Sequence, residues 1–340
     1  MIVGSLLLGI TTTDSGPDEK PNHDESWRKL PPHKDEGQVE LDVNRAFIYY
    51  PSDQTPKQTK DNKEQLSNLI TAVLRQYPYL HYFQGYHDIA QVFLLVLPPS
   101  DSAAAVARLS ALRIRDYMLP NLAPALSQLR LIPSIIASAN PKLAKHLSTT
   151  QPFFALSGTL TMYAHDITSY SSITRLFDTL IAQPAIFSLY LFAQIVLNRE
   201  EELLDTPADE PEMLHSILSK LPKPLDLEGM IKGASWLMHC FPPETLKGWG
   251  GISGNSVLKT TWVNADVDGQ SMEDGERFFQ KQVAELKRGE VKKKIMKQMW
   301  MYRRPAAALG VALLVAILGF QMRRSSMIMS MWNPLWKSLR

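Results

Sequence analysis

The chain has 340 residues, 45% hydrophobic and 21% charged, and its formal net charge is only +2. That composition is globular, with length for one large or two modest domains, and it lacks the basic excess that broad nucleic-acid binding demands. A single cysteine, Cys240, excludes an intrachain disulfide and a multi-cysteine zinc site and reads as a small buried apolar residue in a reducing compartment.

In chain order, the apolar run Leu6 to Ile10 has no basic residue before it, which argues against a signal peptide. Thr11 to Gly37 turns to Asp, Glu, Lys, Pro and Ser and reads as a polar loop, setting residues 1–37 apart. Next comes Val39-Glu40-Leu41-Asp42-Val43-Asn44-Arg45. If this segment is helical, Asp42 and Arg45 share a face and the carboxylate orients the guanidinium fork. Leu66, Leu69, Ile70, Val73, Leu74 and Tyr77 then recur at steps of three and four, predicting a helix with one buried face. Pro78 ends it. The run Tyr82-Phe83-Gln84-Gly85-Tyr86-His87-Asp88 therefore begins at a helix boundary, where side chains and backbone can face a partner.

Arg45 and Gln84 are the candidate chemical groups. A guanidinium is always charged, planar and bidentate, which suits it to neutralise charge on a phosphate. A carboxamide both donates and accepts, so it can hold a water in line for attack, and Gly85 beside it lets another backbone come close. Together they are the minimum set for speeding nucleoside triphosphate hydrolysis on a partner's phosphate site. Taken singly, Asp-x-x-Arg is an ordinary surface pair and Gln-Gly an ordinary helix start. His81 and His87 lie six apart, off the spacing that places two ligands on one helix face, and no third ligand clusters with them, so no metal site is expected.

Beyond this, Ile89 to Leu97 is almost wholly apolar and short enough for a buried helix. Further helices are predicted over Ser102–Leu119, Leu129–Ser148, Pro152–Ile167, Ser171–Ala182, Pro184–Arg199, Pro211–Leu221 and Leu225–His239, with prolines opening or separating several of them. Strand-like alternation is scarce, so residues 38–242 are expected to form an all-α multi-helix array.

Glycines at 248, 250, 251, 254, 269 and 275 mark 243–276 as a linker. Residues 277–304 then read as a basic amphipathic helix, with Phe278, Phe279, Val283, Leu286, Val291, Ile295 and Met299 near one side and a basic collar from Lys287 to Arg304. An anionic bilayer surface is the expected partner of that collar. Pro305 to Met322 carries no charge and is bracketed by arginine pairs. As a helix it spans about 27 Å, matched to a thin bilayer such as that of the endoplasmic reticulum, and is expected to be a transmembrane segment. Eight basic residues precede it and four follow in the short tail 323–340, which places the large N-terminal part in the cytoplasm.

Val39-x-x-Asp42-x-x-Arg45 resembles the arginine-finger motif of TBC-domain Rab GTPase-activating proteins, and Tyr82-x-Gln84-Gly85 resembles their glutamine-finger motif, in the same order. The run Leu80 to Ile89 is similar to the branch anchored in the endoplasmic reticulum, as are Phe154-Ala155-Leu156-Ser157, Arg175-Leu176-Phe177-Asp178 and Ile195 to Glu200. The resemblance covers residues 5–242. Leu6 to Ile10 resembles the end of an early helix of the family, while the tryptophan-bearing block before it is absent, so the start reads as truncated. Gly158 and Met162 stand where the branch carries tryptophans, at core positions. The resemblance implies a TBC-like array in which Arg45 enters the nucleotide site of a GTP-bound Rab and Gln84 orients the attacking water. Asp42, Tyr82, Gly85, Tyr86 and Asp88 would shape or contact the interface. No cofactor of the chain's own is implied, since GTP and Mg²⁺ belong to the Rab. The site of action would be the endoplasmic reticulum or early Golgi membrane, in vesicle traffic between the two. The alternatives are a catalytically weak or inactive membrane-anchored Rab-binding scaffold, or a structural protein that shapes or tethers bilayers through its C-terminal helices.

Overall fold

The computed structural model of the chain describes residues 25–263 and 269–337, with side chains described for 26–263, 269–302 and 311–323. The apolar start at Leu6 to Ile10 lies outside these residues. Among the described residues every regular element is helical, as the sequence predicts. The chain divides into two compact units, 1–283 and 284–340.

In the first unit, α1 (Glu36–Val43) is pinned at its start to α2 (Pro56–Gln76). Glu36 accepts from Arg75 Nε at 2.6 Å and Nη2 at 2.8 Å, and this fork-on-carboxylate pair pulls the Glu36 carboxyl below its usual pKa. A capping box starts α2: Thr55 Oγ1 accepts from Gln58 N, Gln58 Oε1 accepts from Thr55 N, and Pro56 sits where no amide hydrogen is needed. The stripe Leu66, Leu69, Ile70, Val73 and Leu74 is its buried face. Against it pack α3 (Tyr86–Val96) and α4 (Pro99–Leu112). The helix predicted from Ser102 to Leu119 stops at Leu112 and gives way to a 3-10 turn at Arg115–Tyr117.

The helix predicted over 129–148 is two. After α5 (Ala123–Leu129), α6 (Leu131–Ala139) ends, Asn140 Oδ1 accepts from Leu143 N at 3.0 Å, and α7 (Pro141–His146) begins with a proline that cannot continue the ladder. A second shortfall is α8 (Leu156–Leu160), where a helix to Ile167 is predicted. Met162 and Tyr163 take φ of +49° and +65°, and Tyr163 N returns to Gly158 O at 2.6 Å, so the chain reverses there. Then follow α9 (Tyr170–Ala182), α10 (Phe187–Leu197), α11 (Glu200–Asp205), α12 (Pro211–Leu218) and α13 (Leu227–Cys240). Apolar on all sides, α10 lies between α6 and α13 and buries Phe187, Leu189, Tyr190, Leu191 and Phe192. Gly158 faces the rings of Tyr163 and Phe192, and Met162 is buried, so both are core positions.

Where the glycines predict a linker, the structure has packed chain. Residues 243–263 form two 3-10 turns and α14 (Val257–Val263), with Val257 and Leu258 each 2% exposed; residues 264–268 of the predicted linker lie outside the description. The final helix, α15 (Met272–Lys337), starts within the same unit, its Phe279 ring 5.0 Å from that of Tyr79. The physical reason is a pair of wholly buried charges on the 3-10 turn. Arg115 donates to Ala111 O, Asn255 O, Thr260 Oγ1 and Gln282 Oε1, and burial lowers its pKa to about 10. Asp116 accepts from Gln128, Ser256, Val257 N and Gln282. Ions so deeply buried must be fully hydrogen-bonded, and residues 255–282 supply most of the partners.

In the second unit, α15 presents Val291, Ile295, Met296 and Met299 at least half exposed, and Lys287, Arg288 and Lys292 line the same shallow depression. Among the described residues no helix is long and apolar enough to cross a membrane. The expected transmembrane segment, Pro305 to Met322, starts in residues whose side chains lie outside the description, as do the side chains beyond Arg323.

Candidate functional site

Helix α1 ends at Val43, so Arg45 sits in the following turn, its backbone N bonded to Asp42 O at 2.9 Å and its side chain exposed. Leu41, Ile48 and Tyr49 nearby in sequence are also exposed, at 57%, 71% and 53%. The expectation that Asp42 orients the Arg45 fork is not met, because the helix stops before the two side chains can share its face. Instead Asp42, 2% exposed, accepts from Gln38 Nε2 at 3.0 Å and from the Tyr82 hydroxyl at 2.9 Å.

Tyr82 joins the two motifs. Its hydroxyl reaches Asp42 three residues before Arg45, its backbone N donates to Asp35 Oδ2 at 3.0 Å, and two residues later Gln84 stands exposed in a turn. Burial, and then the Asp42 charge, push the Tyr82 phenol well above its usual pKa, so it acts as a fixed donor. Gly85 turns the chain with φ +97°, and a Cβ there would stand 2.6 Å from Thr161 Cγ2. The glutamine turn is thus pressed onto the reversal after α8. Among the described residues neither the Arg45 guanidinium nor the Gln84 carboxamide has a hydrogen-bond partner, so both are available to a second molecule.

Tyr86 is fully buried, its hydroxyl 2.6 Å from Ser110 Oγ and its ring edge-on to Tyr82, so it supports the site from the core and cannot touch a partner. Asp88 is in the first turn of α3, between two histidines: Oδ1 lies 3.3 Å from His87 Nε2 and Oδ2 3.1 Å from His165 Nδ1. The hydrogen bond to Asp88 raises the pKa of exposed His165. Burial lowers that of His87, against the pull of Asp88 and Asp42, and the Arg45 cation is near enough to lower it further.

Sequence reasoning passes over His165, Thr161, Lys63 and Gln91. Gln91 alone left a trace, as the one polar residue in the apolar run Ile89 to Leu97.

Residues 6–204 match the family model of the Rab-GTPase-TBC domain. GTPase-activating protein gyp10 of Schizosaccharomyces pombe is 34% identical over 259 residues, covering 75% of this chain and 68% of that protein. TBC1 domain family member 20 of Bos taurus is 34% identical over 242 residues (71% of this chain, 58% of that protein), and its Homo sapiens counterpart is 35% identical over 215 residues (63% and 53%). The chain therefore spans little more than half the length of these mammalian relatives. The crystal structure of the Ypt/Rab-GAP domain of Gyp1p shares the fold at a TM-score of 0.54 and 14% identity, over 70% of this chain and 88% of that one. With more than half of its residues matched by the family model, the chain belongs to the Rab-GTPase-TBC domain family.

Proposed function

We propose that this protein accelerates GTP hydrolysis on a Rab GTPase by lending it two side chains. The observation that carries the reading is the Asp42–Tyr82 hydrogen bond, which holds the Arg45 turn to the Gln84 turn while both functional side chains stay exposed. The Arg45 guanidinium enters the partner's nucleotide site and neutralises charge on the transferring phosphoryl group. The Gln84 carboxamide holds the attacking water in line. GTP and Mg²⁺ are bound by the Rab, and the products are GDP and phosphate on that partner. Family membership and similarity to the GTPase-activating protein gyp10 support this over a Rab-binding scaffold without activity.

The same reading includes attachment to a membrane of the endoplasmic reticulum or early Golgi. Two features support it: the uncharged run Pro305 to Met322 between arginine pairs, and the basic stretch Lys287 to Arg304 with exposed Val291, Ile295 and Met299. Membrane attachment would bring enzyme and prenylated substrate together on one surface.

Single-turnover hydrolysis on a panel of purified Rab·GTP proteins is the test. Wild type accelerates at least one of them, and Arg45→Ala loses about 10³- to 10⁵-fold of that acceleration. Gln84→Ala falls in the same assay. Equal rates for wild type and both variants would remove the mechanism.

A further inference from the structure

We infer that Gln91 and Lys63 are positioning residues that clamp the backbone on both sides of Arg45; the inference rests on the arginine-finger reading and adds how the finger is held. The segment that carries Arg45 leaves α1 at Val43; backbone bonds from Arg45 N to Asp42 O and from Ala46 N to Val43 O hold its first turn, and from there it has no regular structure until Pro56. Two side chains from neighbouring helices hold it further. From α2, Lys63 Nζ donates to Asn44 O at 2.6 Å, the carbonyl immediately before Arg45 and at the negative end of α1. From α3, Gln91 is 5% exposed and makes two bonds to the segment after Arg45: its Oε1 accepts from Phe47 N at 2.9 Å and its Nε2 donates to Tyr50 O at 3.3 Å.

The loop needs such a clamp. Phe47 has φ +62°, a conformation a bulky side chain adopts only when its surroundings impose it, at a cost of about 1–3 kcal/mol. Buried Tyr50, whose hydroxyl donates to Ala164 O at 3.3 Å, anchors the far end. Between these anchors the backbone carrying Arg45 has fixed ends, and the guanidinium is presented without a search. A buried glutamine in an otherwise apolar helix would be costly were its amide not fully used, and here both amide atoms serve the loop. Because α3 begins at the Gln84 turn, the clamp also registers one finger against the other.

The test is kinetic, on the full chain with a responsive Rab·GTP, and compares Gln91→Leu, Lys63→Met and Lys63→Arg in wild-type and Arg45→Ala backgrounds. Gln91→Leu lowers kcat by about 10- to 100-fold, the scale of a reacting group displaced by roughly 1 Å, while KM changes little. Lys63→Met lowers kcat less, and Lys63→Arg restores it. In the Arg45→Ala background neither Gln91→Leu nor Lys63→Met costs anything further, because a clamp with no finger has nothing to position. A purely structural role would instead depress both backgrounds equally and lower the thermal midpoint of Lys63→Met as much as its rate, and that result overturns the proposal. Full kcat in Gln91→Leu and Lys63→Met beside an inactive Arg45→Ala overturns the clamp alone. Full activity in Arg45→Ala overturns the finger and the clamp together.

Discussion

Gly85 shows how tightly single residues constrain this site. Its φ of +97° disfavours any side chain, and a Cβ would meet Thr161 Cγ2 at 2.6 Å. Gly85→Ala is therefore expected to cost about 1–3 kcal/mol from backbone strain, with the Thr161 contact added, and to swing Gln84 out of register. Differential scanning calorimetry should show a lowered midpoint together with lost activation; an unchanged midpoint would contradict the close approach. Asp88 gives a pH test. Its hydrogen bond raises the folded-state pKa of His165, so the stabilisation is fully present below the unfolded histidine pKa and is lost as pH rises through the raised folded value. His87 works in the opposite sense: burial depresses its folded pKa, so it costs stability as pH falls through the unfolded histidine pKa toward the lowered folded value. The midpoint difference between wild type and His165→Asn should accordingly be larger near pH 5.5 than near pH 8, and a pH-independent difference would rule the pair out. Of these residues Gly85 was legible as a place of close approach, and the group that comes close within the fold is the Thr161 side chain, where the sequence suggests another backbone. His165 was not, since nothing in its local spacing reveals a partner 77 positions away.

Helix existence was read correctly wherever one apolar face repeats, as along α2 and α9. It was misread where tertiary demands override the pattern. The predicted helix through Leu119 breaks at Leu112 because Arg115 and Asp116 turn into the core to meet the C-terminal segment, and the stretch read as linker becomes packed chain for the same reason. Glycine content signals freedom only when nothing nearby needs the backbone, and here Arg115 takes Asn255 O while Asp116 takes Val257 N. Removing one of these buried charges should be costly: Asp116→Ala is predicted to destabilise by about 3–5 kcal/mol, leaving the donors of Gln128, Ser256, Val257 and Gln282 without their acceptor beside the buried Arg115 cation. Chemical denaturation measures this directly. A loss below 1 kcal/mol would mean that water reaches the pair and that residues 253–282 are not integral to the fold.

Across the whole molecule, the Arg45 segment is cross-linked to the Gln84 turn and to α3 by a phenol, a carboxylate and a buried amide. The bonds that join the two motif segments, Asp42 to Tyr82 and Gln91 to Phe47, link residues some forty positions apart and emerge only on folding. The C-terminal helix was legible as helix and as basic. The central claim is that Arg45 and Gln84 act on a partner's phosphoryl transfer, and transition-state mimicry tests it most directly. The affinity of the full chain for a responsive Rab·GDP is measured with and without aluminium fluoride, which stands in for the transferring group. The account predicts that wild type binds the fluoride complex at least about 100-fold more tightly than Rab·GDP, and that Arg45→Ala and Gln84→Ala each lose that gain. Variants that keep the full gain, or a wild type that binds both forms equally, would contradict it.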